Sequence, residues 1–471
     1  MVNNKFALFS LFSGAGGMDL GFLLNGSFDM LFANDILSPP VETYAYNFRR
    51  KIVDVSEVAS PNFALPACVL GDVSEIDFSK IRGGEVDVVI GGPPCQDFSI
   101  VRGPEKERQG LFVKRGRLYA HFVRALVHLS PKVFVFENVP GLKSANRNAA
   151  YKTIIEDFAK LNLRWEEVRK IAGNSVSGNL KNYLIIFSDV VDSAHLGVPQ
   201  KRRRLIIIGA REDLFRGDWA ALSGLKQRVE NILLGRNSIF RKYPLTPLEV
   251  FEGKPLQELC GEYREIMQEY RDVINNVETE RAFRWRKDVW EKLSFEAVED
   301  YLKLNGIVCR NENEIEEAFK AHAEILKKLG YYGEKLEGKY FSDKSNTVSK
   351  ESEDVLARLK MIPPDENHMF VRGTKWEVEG RGMSLIYRRI HPLKPSYTIV
   401  AYGGGGTWGY HYRRCRGKLT NRERARLQTF PDWFLFRGSE AEVRAQIGEA
   451  VPPFLGQKVA EAVEIILRGG A

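Results

Sequence analysis

The opening of the chain constrains the fold more than any other stretch. Lys5 to Phe12 is apolar and strand-like and runs into Ser13-Gly14-Ala15-Gly16-Gly17, after which Met18 to Leu24 has helical spacing. Strand, glycine-rich turn and helix in that order begin a Rossmann-like unit. The glycines would let a ligand lie close to the backbone, although such turns also simply join elements. Met30 to Asn34 reads as the second strand and ends in Asp35. A carboxylate there, roughly 20 residues past the glycines, suits ribose hydroxyls; it would serve equally as a helix N-cap. Gly71-Asp72-Val73 repeats the pattern. Val86 to Ile90, Lys132 to Phe136, Tyr183 to Phe187 and Leu205 to Gly209 read as further strands. The expected fold is a doubly wound, mostly parallel α/β sheet, Rossmann-like, which binds its ligand outside the carboxyl ends of the strands.

Two of those strand ends carry candidate chemistry. The run from Val86 stops at Gly91-Gly92-Pro93-Pro94-Cys95-Gln96-Asp97-Phe98-Ser99. The prolines stiffen the backbone just before one thiol, the setting of a positioned nucleophile; a lone cysteine is also commonly a small buried residue. The run from Lys132 leads into Glu137-Asn138-Val139-Pro140-Gly141. An acid directly after a buried strand is partly desolvated, which raises a carboxyl pKa and suits a group that delivers a proton. Capping or a salt bridge is the alternative. Farther on, Gln200-Lys201-Arg202-Arg203-Arg204 is a basic cluster of the kind that faces solvent or phosphate.

Composition narrows the class. A chain of 471 residues has room for two or three domains, and its net charge of +8 fits a polyanionic partner. The five cysteines (Cys68, Cys95, Cys260, Cys309 and Cys415) are scattered with no CxxC spacing. Neither a metal site nor a disulfide framework is expected, and a reducing cytoplasm is the natural home. The segment from Met1 to Phe12 lacks the length and cleavage site of a signal peptide. No apolar run is long enough to span a bilayer, so no membrane partner is expected.

Together the motifs resemble those of the C5-cytosine DNA methyltransferases of the bacterial and archaeal restriction-modification type. Pro93-Pro94-Cys95-Gln96 with Phe98-Ser99 resembles the family's nucleophile motif, and the other motifs follow in the family's order from Phe9 to Pro453. The resemblance implies S-adenosylmethionine as cofactor, held by Phe12, Ser13, Gly14, Ala15, Gly16 and Gly17, and by Asp35 and Ile36. It adds Asp72, whose counterpart meets the adenine amino group, and Val73, which packs on the ring, with Pro94 and Leu118 nearby. Gln446 to Pro453 resembles the last motif, which implies cofactor contacts from Glu449 and Ala450. The commonest family form has Asn where this chain has Glu449, and a carboxylate accepts but cannot donate.

The same resemblance implies a mechanism. Cys95 adds to carbon 6 of a cytosine flipped out of the duplex, and Glu137 holds and protonates N3. Gln200, Arg202 and Arg204 match a Gln-x-Arg-x-Arg pattern whose arginines approach the base, while Lys201 and Arg203 would point elsewhere. Ser99, Asn138 and Val139 complete the base pocket, and Ile100 to Gly110 is the loop that closes over DNA.

Strand–helix alternation ends after Arg211. A catalytic domain is expected over 1–216, completed by 446–471, with a smaller target-recognition domain over 217–445 facing it across a cleft that holds DNA. That second domain would carry a helical insertion at about 255–330, and Arg388-Arg389-Ile390-His391-Pro392 resembles the motif that organises it. Arg413, Arg414 and Arg416 are expected at DNA phosphates. The partners implied are double-stranded DNA and a cognate restriction endonuclease that forms no stable complex with the enzyme. Two other readings stand beside this one. An RNA (tRNA) cytosine-5 methyltransferase would usually have a shorter recognition region. A catalytically silent DNA-binding homologue would not need Cys95 and Glu137 intact.

Overall fold

The computed structural model describes residues 5–81, 84–94, 117–144, 148–172, 180–215, 219–308, 311–378, 385–403, 406, 407 and 409–469. Cys95, Ser99 and the loop from Ile100 to Gly110 lie outside the described residues, as does Trp408.

Eight strands form one sheet: β1 (Phe6–Leu11), β2 (Phe28–Asp35), β3 (Lys51–Asp54), β4 (Ala67–Leu70), β5 (Val88–Gly91), β6 (Val133–Asn138), β7 (Tyr183–Asp192) and β8 (Arg203–Arg211). Their spatial order is β3-β4-β2-β1-β5-β6-β8-β7. The pairs from β3 across to β6 are all parallel, whereas β8 runs antiparallel to both β6 and β7. The exception has a simple cause. Only ten residues separate the end of β7 from the start of β8, and a parallel crossover needs a dozen or more. The chain leaves β1 for β2 on one side and comes back to β5 on the other. Strand order therefore reverses between β1 and β5, and ligands of open α/β sheets bind outside such a switch point.

The strands read as near-continuous apolar runs because both faces are covered. Helices α1 (Gly17–Asn25), α2 (Ser38–Phe48), α3 (Arg117–Leu129), α4 (Ala149–Ala159), α5 (Leu161–Ala172) and α6 (Trp219–Leu233) flank them. Phe122, Phe134, Phe136 and Phe158 interlock between α3, β6 and α4, with ring centroids 4.4–6.2 Å apart. The C-terminal helix Pro453–Gly469 lies on α1. A Cβ at Gly21 would come within 2.3 Å of the Gly456 and Gln457 backbone, so the two helices touch main chain to main chain.

The chain divides into two units, Met1–Ser193 with Arg203–Asn237 and Ala450–Ala471, and Ala194–Arg202 with Ser238–Glu449. This differs from the boundary at 217 read from the sequence. α6 extends past that point and packs against the C-terminal helix and β7, so it belongs to the sheet unit. The short segment 194–202 goes the other way, as does 446–449.

The second unit is mostly helical: α7 (Pro247–Glu252), α8 (Cys260–Gln268), α9 (Val273–Asn276), α10 (Glu280–Asp288), α11 (Ala297–Leu304), α12 (Glu312–Lys328), α13 (Glu353–Leu359), α14 (Asn421–Leu427) and α15 (Glu440–Glu449). Tyr270, Trp285, Leu359, Ile362, Phe370, Tyr387 and Tyr410 share one of its cores. No helix among the described residues is long and apolar enough to cross a membrane.

Candidate active site

Five strand ends meet at the switch point. β1 ends in the glycine-rich turn, whose first residue, Phe12, has φ of 55°. A left-handed Phe is a strained conformation of the kind that clusters at ligand sites. Gly16 has φ of 85°, and a Cβ there would lie 2.6 Å from the Phe48 ring and 2.8 Å from Tyr44. Both conditions exclude a side chain. Below the turn, the buried Asp19 accepts from the Ser10 hydroxyl at 3.1 Å and the Tyr44 hydroxyl at 2.9 Å. Burial pushes its carboxyl up to about 6.

Asp35, at the end of β2, holds the turn directly. Its Oδ2 accepts from Gly14 N at 2.9 Å and its Oδ1 from Leu37 N at 3.1 Å. Burial raises this carboxyl, and the N–H groups of Leu37, Gly14 and Ile36 oppose the rise. Each oxygen keeps a further lone pair for a hydroxyl donor. Ile36, next to it, is 62% exposed, an apolar side chain presented at the strand ends. At the end of β4, Asp72 caps the turn Val73–Glu75 through Ser74 N at 2.8 Å. Val73 is buried rather than presented. Phe12 and Leu118 are half-buried against the same core beneath the site.

β5 delivers the loop that carries Cys95. Gly92 sits beside Glu137 at the end of β6, and a Cβ on Gly92 would fall 2.6 Å from Glu137 Oε2. Asn138 ties the loop down, donating from Nδ2 to Pro93 O at 3.1 Å, while its Oδ1 accepts from Val139 N. Its amide is thus committed to backbone. Pro94 emerges exposed just before Cys95. Glu137 Oε1 pairs with Arg204 Nε at 2.9 Å, with both side chains about one-seventh exposed (13% and 14%). The β6–β8 register produces this pair by placing Glu137 opposite Ile206, two residues from Arg204. Arg204 Nη1 is held in turn by Arg203 O at 2.8 Å.

The Gln-x-Arg-x-Arg pattern divides between the two units. Gln200 and Arg202 are fully buried in the second unit, whereas Lys201 and Arg203 are exposed, as expected. Gln200 bonds to Leu427 O, Gln428 Oε1 and Ile399 N. Arg202 donates to Ile399 O at 3.2 Å, Gly448 O at 2.8 Å and Glu449 O at 3.2 Å. Arg202, expected at a base, donates its guanidinium to main-chain carbonyls and is buried. Glu449 itself is exposed and accepts from the Tyr402 hydroxyl.

The arginines expected at DNA phosphates have acidic partners within the second unit. Arg413 pairs with Glu269 at 2.7 Å, Arg414 with Glu269 O and Asp272, and Arg416 with Glu423 at 2.7 Å. Beneath them the buried Arg389 donates to the carbonyls of Leu359, His411, Arg413, Arg414 and Arg416. These cations stitch a loop together, and acids already neutralise those that point outward.

A family model for the C-5 cytosine-specific DNA methylases matches residues 6–464. The chain belongs to this family. Over 98% of its length it is 54% identical to 99% of the DNA (cytosine-5-)-methyltransferase M.ApeKI of Aeropyrum pernix. It is 31% identical to the type II methyltransferase M.NgoFVII of Neisseria gonorrhoeae, over 99% of this chain and 87% of that protein. A solved structure from E. coli, described as a prophage-encoded DNA modification methyltransferase, shares the fold with a TM-score of 0.52 at 21% identity, covering 98% of this chain and 100% of that one. The enzyme is a DNA (cytosine-5-)-methyltransferase. The residues that sequence reasoning missed are Gly92 and Asp19. For Gly92 the signal was available, since a second glycine after the strand is one more than a turn requires.

Proposed function

We propose that this methyltransferase flips a cytosine from double-stranded DNA and methylates carbon 5 through a covalent adduct of Cys95 at carbon 6. One observation carries the reading. The Glu137–Arg204 pair stands at the root of the Cys95 loop, so close that any side chain at position 92 must displace the Glu137 carboxyl. The candidate proton donor thus stands beside the segment that leads to the candidate nucleophile.

Carbon 5 of cytosine is a poor nucleophile. Addition of the Cys95 thiolate to carbon 6 forms a C–S bond and moves the ring electrons toward N3, where Glu137 supplies a proton. Carbon 5 is then enamine-like. Arg204 fixes one oxygen of Glu137 and leaves the carboxyl oriented toward the base edge. Once carbon 5 carries the methyl group, its proton passes to solvent, the C6–S bond breaks to release the thiolate, and N3 returns its proton to Glu137. A stacked base is out of reach, hence the flipping.

S-adenosylmethionine supplies the electrophilic methyl group. The residues fit it: a glycine-only turn at Gly16, an exposed apolar Ile36, and an Asp72 whose second oxygen has no hydrogen bond among the described residues. Asp35 would hold ribose hydroxyls while clamping Gly14. The second unit serves target recognition, a cognate restriction endonuclease acts on the same site, and the enzyme works in the cytoplasm on DNA.

The test is expression in a methylation-free host followed by bisulfite sequencing. Cys95→Ala should leave the DNA unmethylated while the protein still binds S-adenosylhomocysteine. DNA containing 5-fluorocytosine should trap the wild-type enzyme covalently, because fluorine replaces the proton that must leave. Turnover by the alanine variant would refute the mechanism, and methylated tRNA with untouched DNA would favour the RNA reading.

A further inference from the structure

We propose that Arg124, on α3, is a positioning residue for the adenine end of the cofactor site, acting through the turn Asp72–Val73. The inference rests on the S-adenosylmethionine reading above.

Arg124 is 5% exposed. Its Nη2 donates to Val73 O at 2.6 Å, and its guanidinium carbon lies 5.1 Å from the centroid of the Phe78 ring. Its Nε has no hydrogen-bond partner among the described residues. Among the described residues no carboxylate pairs with it directly; Asp77 and Asp72 act on it through space. A buried, under-satisfied cation is costly, and an apolar side chain of similar length would suit packing better. Such a group needs another explanation.

The geometry offers one. The Val73 carbonyl accepts from Arg124, and this fixes the Val73–Ser74 peptide, whose N–H the Asp72 side chain caps. The Asp72 carboxylate then caps Ser74 with one oxygen and presents the other at the end of β4. An amino group of adenine requires an acceptor, and the second Asp72 oxygen is one. Phe78, itself buried, keeps the guanidinium from swinging away. Gly71 completes the turn: its φ of 144° and the Val55 side chain 2.4 Å from a would-be Cβ leave room for no other residue.

The test is calorimetric titration of the full chain with S-adenosylhomocysteine and with methylthioadenosine, which keeps the adenosine and lacks the amino-acid part. Arg124→Met should weaken both ligands roughly 10- to 100-fold, the scale of one hydrogen bond from a charged donor. Arg124→Lys keeps the charge and should recover most of that loss. KM for S-adenosylmethionine should rise in the Met variant, with kcat at saturating cofactor and DNA affinity unchanged. If Arg124→Met does not fold, Phe78→Leu tests the same arrangement and should weaken both ligands several-fold. Unchanged affinity in a folded variant overturns the assignment of Arg124. Failure of the wild type to bind S-adenosylhomocysteine overturns the cofactor reading instead.

Discussion

Glu137 shows how much a single position asks of its neighbours. Its carboxyl has Arg204 on one oxygen and the Gly92 backbone against the other. Glu137→Gln keeps the shape and loses the transferable proton, so methyl transfer should slow by roughly two to four decades with little change in S-adenosylhomocysteine affinity. Gly92→Ala tests the packing rather than the chemistry. The added methyl must displace the carboxyl, and a shift of this size costs up to roughly a hundredfold in rate. Thermal unfolding of that variant should stay close to wild type; full activity would show that the corner tolerates movement. At this scale the acids were legible in the sequence because each stands directly after an apolar strand. The arginines were not. A run such as Gln200 to Arg204 displays charge, while the carbonyls that capture Arg202 lie near positions 399 and 448, far along the chain.

Two elements of the second unit turn similar buried charge to structural use. α12 is anchored by His322, whose Nδ1 meets Glu249 Oε1 at 2.8 Å and whose Nε2 meets Tyr243 O at 2.9 Å, with both side chains fully buried. Two acceptors require two N–H donors, so the ring is an imidazolium. Burial pushes its pKa down, but the Glu249 charge and the bonds to Glu249 and Tyr243 outweigh it and leave the value raised above 6.5. The stabilisation is therefore complete below pH 6.5 and is lost as pH rises through the elevated value. His322→Gln should cost about 3 kcal/mol near pH 6 and should lack the alkaline loss seen in wild type, as urea unfolding at several pH values would show. The loop from His411 to Arg416 makes the second case. Its arginines are already matched by Glu269, Asp272 and Glu423. Replacing Arg413, Arg414 and Arg416 by Ala should lower the unfolding temperature and leave the salt slope of DNA binding almost unchanged, whereas three phosphate contacts would have reduced that slope by about 3. Helical spacing was readable in this region, but the ion pairs that orient the helices join residues more than 70 positions apart, as His322 and Glu249 do.

Across the whole molecule, a mostly parallel α/β sheet was legible in strand–helix alternation, and the strand order and unit boundary were not. The end of alternation after Arg211 marks where the strands stop, while α6 still closes the sheet unit against the C-terminal helix. Exchanging 238–449 alone for the counterpart in a relative should give a poorly folded protein, because Gln200 and Arg202 would meet a foreign surface. Exchanging 194–202 together with 238–449 should restore folding and move methylation to the relative's site, read by bisulfite mapping. Retention of the original site in that folded chimera would place recognition in the sheet unit. The polypeptide passes from one unit to the other four times, at 193/194, 202/203, 237/238 and 449/450. On the proposal that the second unit reads the target, two separate tracts, 194–202 and 238–449, must change hands together, so specificity here should diverge by point substitution more readily than by cassette exchange.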